Sequence, residues 1–378
     1  MTELELKFAL PASLHDALER DPDLGPWRSE QVWSCYHDTP DGALAQARTA
    51  VRVRRKGEAW LQTVKADLGD AFERFEWERP ITGPTPSLDA LPAADTPAGA
   101  LTRRTFDAWQ PLFETDFERR STVVQNGALR IEMARDTGEV RGKVGNEARV
   151  AAIREVELEL LEGPQPAYFD WVRDWVIKHD ARLLIATKNE RGLRLCERLP
   201  ARPQPVPAGP LEQFDPLAPQ ALKAAVSLVC RNLEAARADI EDQAGIVARA
   251  AESGEAGKHA AGNTALAANP RRDGIQALHE ALVRCRLILA ARHGAAHADA
   301  ALSRQAAGLA RLAAAATGAP LLAAAEPAHP EGSPAAQQQA LHVHALLSLH
   351  AALNGPPLTR FVLEALAGSS RHPDDTQT

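Results

Sequence analysis

Several short runs of this chain alternate charged and apolar residues with period two. They are Glu3-Leu-Glu-Leu-Lys7, Val51-Arg-Val-Arg54, Arg74-Phe-Glu-Trp-Glu78, Leu129-Arg-Ile-Glu-Met133 and Glu155-Val-Glu-Leu-Glu-Leu160. A period of two places every charge of a run on one face of a β-strand. Leu4, Leu6, Val51, Val53, Phe75, Trp77, Ile131, Val156 and Leu158 then fill the other face. On an open sheet such charges would meet water. If the sheet closes, they share a lumen in which arginine and lysine can grip phosphate oxygens and carboxylates can hold a hard divalent cation through oxygen. Both signs together suit a multiply charged anion bound with a metal. Phosphoryl transfer asks for little beyond such positioning and charge neutralisation, with a metal to activate water.

The elements that must carry these residues divide the chain in two. Residues 1–200 read as mostly antiparallel sheet, with helical patterns near Ser13–Arg20, Pro97–Phe113 and Gln165–His179. A proline-rich stretch, Pro200–Pro210, reads as an extended linker. Residues 211–378 are rich in Ala and Leu with helical spacing over Leu217–Ala251, Gly274–Arg292, Ala300–Ala316 and Gln337–Leu353, and Ser253–Arg272 reads as a loop. The expected fold is therefore α+β: a β domain over 1–200, a linker over 201–210 and an all-α domain over 211–378.

Composition narrows the function class. At 378 residues, with 45% apolar and 25% charged residues, the chain is an ordinary globular protein of about two domains. A formal net charge of -7 argues against nucleic acid as a partner, because phosphates demand a clustered basic face. Neither a leader nor a membrane span is read, and Cys35, Cys196, Cys230 and Cys285 lack zinc or disulfide spacing, which fits a reducing cytoplasm. Gly254-Glu-Ala-Gly-Lys258-His259 lacks the first glycine and the Ser or Thr of a phosphate loop.

The ordered motifs resemble those of CYTH domains, the triphosphate tunnel metalloenzymes. Glu3-x-Glu5-x-Lys7 matches the ExExK signature, and Tyr36-His-Asp-Thr-Pro40 is similar to the family's Tyr-Phe-Asp-Thr-Pro turn. Val51-Arg-Val-Arg54, Leu61-Gln-Thr-Val-Lys65, Arg74-x-Glu76-x-Glu78, Arg119-Arg120, Ile131-Glu132 with Asp136-x-Gly138, Glu155-x-Glu157-x-Glu159 and Lys188-x-Glu190-Arg-Gly192 follow in order. The resemblance implies a closed eight-stranded antiparallel β-barrel tunnel with flanking helices, which takes a triphosphate with Mg2+ or Mn2+. It implies metal binding by Glu3, Glu5, Glu157 and Glu159, and phosphate binding by Lys7, Arg52, Arg54, Lys65, Arg120 and Lys188. Glu5, Lys65 and Glu76 become the expected catalytic groups, with Glu132 and Glu155 as supporting acids. Asp38 and Asp136 read as turn residues, and His37 as a packed surface group.

The second half carries Leu278-His279-x-x-x-Val283-x-x-Arg286, which partly resembles the histidine helix of CHAD domains, with Leu282 and Leu287 where that motif has arginine. CHAD domains are associated with polyphosphate. Residues 211–378, however, hold 14 Lys plus Arg against 16 Asp plus Glu, so a basic polyphosphate surface is not expected. Nine of the twelve histidines fall here, with His293 and His297 at helical spacing near an expected helix end. The combined layout is similar to bacterial inorganic triphosphatases and implies hydrolysis of inorganic triphosphate to diphosphate and phosphate. Thiamine triphosphatase and class IV-like adenylate cyclase activities are the alternatives within the fold, and a non-catalytic polyphosphate-binding scaffold is the alternative outside it. Oligomeric state is not legible.

Overall fold

The computed structural model describes residues 2–21, 24–67, 73–199, 206, 220–252, 273–292, 304–313, 348–349 and 351–369. The rest of the proline-rich linker, the segment Ser253–Arg272 with Lys258 and His259, both His293 and His297, and most of Gln337–Leu353 lie outside the described residues. The chain falls into two compact units: Met1–Tyr168 with Lys178–Ala201, and Phe169–Ile177 with Arg202–Thr378.

The first unit is built on one antiparallel sheet of nine strands: β1 Thr2–Ala9, β2 Arg28–Asp38, β3 Thr49–Lys56, β4 Ala59–Asp67, β5 Glu73–Ile81, β6 Gln110–Asn126, β7 Leu129–Val144, β8 Glu147–Glu162 and β9 Arg182–Leu184. Their order is β5-β4-β3-β2-β6-β7-β8-β1-β9. The expected count of eight is thus corrected by the three-residue strand β9, which adds to the edge of β1. Strand β1 also pairs with β5, but only over Thr2–Leu4 opposite Phe75–Glu73. Three residue pairs are too few to seam strands of this length, so the sheet is not closed along them.

Outward-facing apolar residues carry the packing of the first unit. Val51 and Val64 are fully buried under Leu44, Leu91 and Ala98, which come from α2 (Ala43–Gln46), a short turn and α3 (Pro97–Thr105). Helix α3 starts where Thr96 Oγ1 accepts from the Gly99 amide at 3.0 Å, with Pro97 in the first turn. It ends well before Phe113, because strand β6 begins at Gln110. Asp38 is indeed a turn device: its carboxylate accepts from the amides of Thr39 (2.7 Å), Leu44 (2.9 Å) and Ala45 (3.1 Å) at the start of α2.

Gly138 sits mid-strand in β7, against β6. A Cβ there would fall 2.2 Å from Asp116 O and 2.4 Å from Phe117 Cα, which are backbone atoms that cannot swing aside. Gly138→Ala is therefore expected to cost about 3 kcal/mol or more by overpacking. Thermal unfolding read by tryptophan fluorescence checks this, because five of the seven tryptophans, Trp27, Trp33, Trp60, Trp77 and Trp109, lie in the first unit.

The second unit is helical: α6 Ala221–Glu252, α7 Asp273–Arg292, a helix over residues 304–313 and α8 Pro356–Ser369. Asp239 caps α7 by accepting from the Gly274 amide at 2.8 Å. Arg237 and Arg284 are buried, and Arg237 donates to the Leu353 carbonyl at 2.6 Å and pairs with Glu234 at 2.7 Å. Two of the cations in this half thus serve its interior rather than a surface. None of the described helices is long and apolar enough to cross a membrane.

Candidate functional site: a charged sheet face

Register places nearly all of the expected residues on one face of the sheet. Tyr36 stands opposite Arg52, Arg52 opposite Thr63 and Lys65 opposite Glu76. On the other side Glu132 stands opposite Glu159, Glu159 opposite Glu5 and Glu157 opposite Lys7. Directly opposed antiparallel residues point the same way, so one charged surface runs from β5 round to β1. Glu3 stands opposite Arg74, and its side chain lies outside the described residues.

Part of this face holds cations that lack acidic partners. Arg52 donates to Tyr36 Oη (3.3 Å) and Thr63 Oγ1 (3.4 Å), and Arg54 to Ser34 Oγ (3.4 Å). Among the described residues neither arginine forms an ion pair. Burial, with Arg52 and Arg119 nearby, pushes the Arg54 guanidinium down to about 10. A strand that presents two guanidiniums with no ion pair among the described residues is suited to an anion. Arg52 is held the other way: burial lowers it, but Tyr36, Glu76 and Glu78 together raise it. Beside them Lys65 pairs with Glu76 at 3.1 Å, and Thr63 donates to Glu78 at 2.8 Å.

The opposite part is a dense ion-pair network. Arg119 grips Asp136 with two nitrogens, at 2.8 and 2.7 Å, and also pairs with Glu157. Lys188 Nζ lies 2.6 Å from Asp136 Oδ2 and 2.8 Å from Glu157 Oε1, and it pairs with Glu155, which Arg191 also holds. Lys7 bridges Glu5 and Glu157, the latter at 3.6 Å. Burial would raise the Asp136 and Glu157 carboxyls, but Lys188 and Arg119 hold both below the ordinary carboxylate range. Burial would lower Lys188, and the three acids raise it.

These directions fix a pH dependence. Asp136 and Glu157 contribute stability that is present above the unfolded carboxylate value near 4 and is lost as pH falls through their depressed values. Lys188, raised, contributes stability that is complete below the unfolded lysine value near 10.4 and is lost only as pH climbs through its folded value. The unfolding temperature is therefore expected to fall steeply below about pH 4. An equal unfolding temperature at pH 3 and pH 7 would contradict the network.

Helix α5 (Lys188–Leu195), which periodicity alone did not reveal, delivers Lys188 and Arg191. Its start is fixed by a capping box between Thr187 and Glu190. Leu193 and the following Cys196 pack with Val32, Tyr36, Phe113, Phe117, Val140 and Ile153 on the charged face of the sheet. Gly192 allows this approach, since a Cβ there would meet the Phe113 ring at 2.1 Å. The apolar end of the face is thus covered by α5.

Two expectations are corrected here. Arg120 faces away from the others and pairs with Glu19 at 2.8 Å, while its neighbour Arg119 takes the inward position. Asp136 is not a hairpin residue but lies buried in the middle of a 16-residue strand. Glu155, expected as a supporting acid, is fully buried beside it. His37 is half-buried, and burial lowers its pKa.

A sheet face lined with both signs, with two arginines that form no ion pair among the described residues and a buried acid group, has the chemistry to take a polyanion and a hard cation together. Residues 1–193 match the CYTH domain, and the chain belongs to that family. Among curated relatives, the inorganic triphosphatase of Haemophilus influenzae is 29% identical over 168 residues, which are 42% of this chain. The match spans 44% of that relative, less than half its length. Among solved structures, the PH1819 protein of Pyrococcus horikoshii is similar at 17% identity and a TM-score of 0.35, over 50% of this chain and 98% of that one. HpAC1 of Hippeastrum, a candidate adenylyl cyclase in which triphosphatase activity dominates, is similar at 18% identity and a TM-score of 0.33, over 50% and 95%.

Proposed function

We propose that the chain hydrolyses inorganic triphosphate to diphosphate and phosphate with Mg2+ or Mn2+. The observation that carries this reading is the pair Arg52 and Arg54, which lack carboxylates of their own and share a face with Glu5, Glu76, Asp136, Glu155 and Glu157. Arg52 and Arg54 take phosphate oxygens first. Tyr36, hydrogen-bonded to Arg52 and stacked on Phe113 at 4.6 Å, holds the first guanidinium in place. Lys7 and Lys65 add charge from β1 and β4, and Glu76, paired with Lys65, orients the attacking water. The pairing of β1 with β5 at Thr2–Leu4 puts the acids of β1 and Glu76 on one continuous face.

The donor set fits the metal. Asp136, Glu155 and Glu157 offer carboxylate oxygens that all lie within 4.8 Å of one another, and hard oxygen donors suit Mg2+ or Mn2+. A cation, the Lys188 ammonium, already stands among them. Glu159 adds an acid further along β8, and Glu5 adds one opposite it on β1. When bound, the metal neutralises phosphate oxygens and makes water a better nucleophile.

The aromatic rings of this face favour an inorganic substrate over nucleoside or thiamine triphosphate. Tyr36, Phe113 and Phe117 are each buried, against one another or under α5, and none presents a free ring for stacking. A panel of tripolyphosphate, ATP and thiamine triphosphate, compared by kcat/KM with Mg2+ and with Mn2+, tests this. Tripolyphosphate is expected to lead by about a hundredfold or more, since the competitors gain nothing from their organic parts. A preference for ATP or thiamine triphosphate would overturn the assignment.

A further inference from the structure

We propose that Lys188 is a tethered stand-in for the divalent cation, which occupies the acid trio until metal and polyanion arrive together. The inference rests on the metal-dependent reading above and concerns what this lysine does before substrate binds. Its ammonium touches all three carboxylates, at 2.6 Å for Asp136 and 2.8 Å for Glu157, with Glu155 completing the set. All four groups are buried. An ammonium on four rotatable carbons is a compact point charge that can leave such a nest, whereas Arg119, locked by a bidentate fork on Asp136, cannot leave as readily.

Charge counting gives the stand-in its consequence. Asp136, Glu155, Glu157 and Glu5 are matched by Lys188, Arg119, Arg191 and Lys7, so the nest is neutral as it stands. A divalent cation that displaces Lys188 brings two positive charges and also frees the lysine's own, and Arg52 and Arg54 already wait unpaired on the same face. Only a polyanion offsets that surplus. Metal and triphosphate are thereby coupled: each binds better in the presence of the other, and the released Lys188 turns from carboxylate to phosphate. The lysine expected from sequence to grip phosphate does so only in the loaded protein, and before loading it offsets the mutual repulsion of the three acids.

The test uses Mn2+ alone. Its binding to the full chain, without any phosphate compound, is measured by the electron paramagnetic resonance of the free ion for wild type, Lys188→Met and Lys188→Gln. Both variants are expected to bind Mn2+ about tenfold tighter than wild type, because the competing cation is gone. In the wild type itself, acylation of Lys188 followed by mass spectrometry is expected to accelerate severalfold when Mn2+ is added with a non-hydrolysable triphosphate analogue. Equal or weaker Mn2+ binding in a folded variant, or an acylation rate at Lys188 that the additions leave unchanged, overturns the inference. Turnover enters neither readout. Hydrolysis by the wild type without the gain in Mn2+ affinity would refute the role of Lys188 alone; the gain without any phosphate release would refute hydrolysis alone.

Discussion

Replacing Arg54 by Met is expected to stabilise the protein while nearly abolishing triphosphate hydrolysis. Arg54 is a half-buried cation whose neighbours include Arg52 and Arg119, and among the described residues its only hydrogen bond is to the Ser34 hydroxyl. Removing it relieves desolvation and like-charge repulsion worth about 1 kcal/mol, once solvent screening is allowed for. That corresponds to a rise of about 2–4 °C in unfolding temperature for a unit of this size. The same change removes a guanidinium that would meet developing negative charge on phosphate. A loss of about a hundredfold to a thousandfold in kcat/KM follows, as for other preorganised donors. Opposite signs on the two axes are the mark of a group kept for binding rather than for the fold. A variant that is both less stable and fully active would show that Arg54 serves the architecture.

The second large effect separates neighbours. Arg119→Met leaves Asp136 and Glu157 facing Lys188 with one cation fewer, and breaking a buried, hydrogen-bonded pair from one side costs about 3–5 kcal/mol. Arg120→Met removes a partly exposed pair with Glu19, which is worth at most about 1 kcal/mol. Tryptophan fluorescence during thermal unfolding reports on both. The expected result is a large drop for the first and a small one for the second. Comparable effects from the two would mean that the strand parity of β6 is misassigned.

That contrast also marks where the sequence was legible and where it was not. On β1, β3, β4 and β8 one face is apolar and the other charged, so period two alone assigns Glu5, Lys7, Arg52, Arg54, Lys65 and Glu157 to a common side. On β6 both faces mix charged and uncharged residues. Glu114, Asp116, Glu118 and Arg120 alternate with Phe113, Thr115, Phe117 and Arg119, and the apolar Phe113 and Phe117 suggest an outer core. They lie instead on the charged face, because α5 covers that end of it. A covering helix of eight residues has no periodicity long enough to read, although its capping residues Thr187 and Glu190 stand plainly in the chain. Asp136 was within reach: counting by two from Glu132 places it on the charged face. The Gly138 that suggested a turn is there because β7 and β6 approach too closely for a Cβ.

The central claim is that this face cleaves triphosphate, and phosphorus nuclear magnetic resonance tests it most directly. Tripolyphosphate incubated with the full chain and Mg2+ or Mn2+ is expected to give equimolar diphosphate and phosphate, to give them at least about a hundredfold more slowly with Arg54→Met, and to give neither with the metal chelated. Tripolyphosphate that persists intact beside folded wild-type protein and either metal would contradict the account.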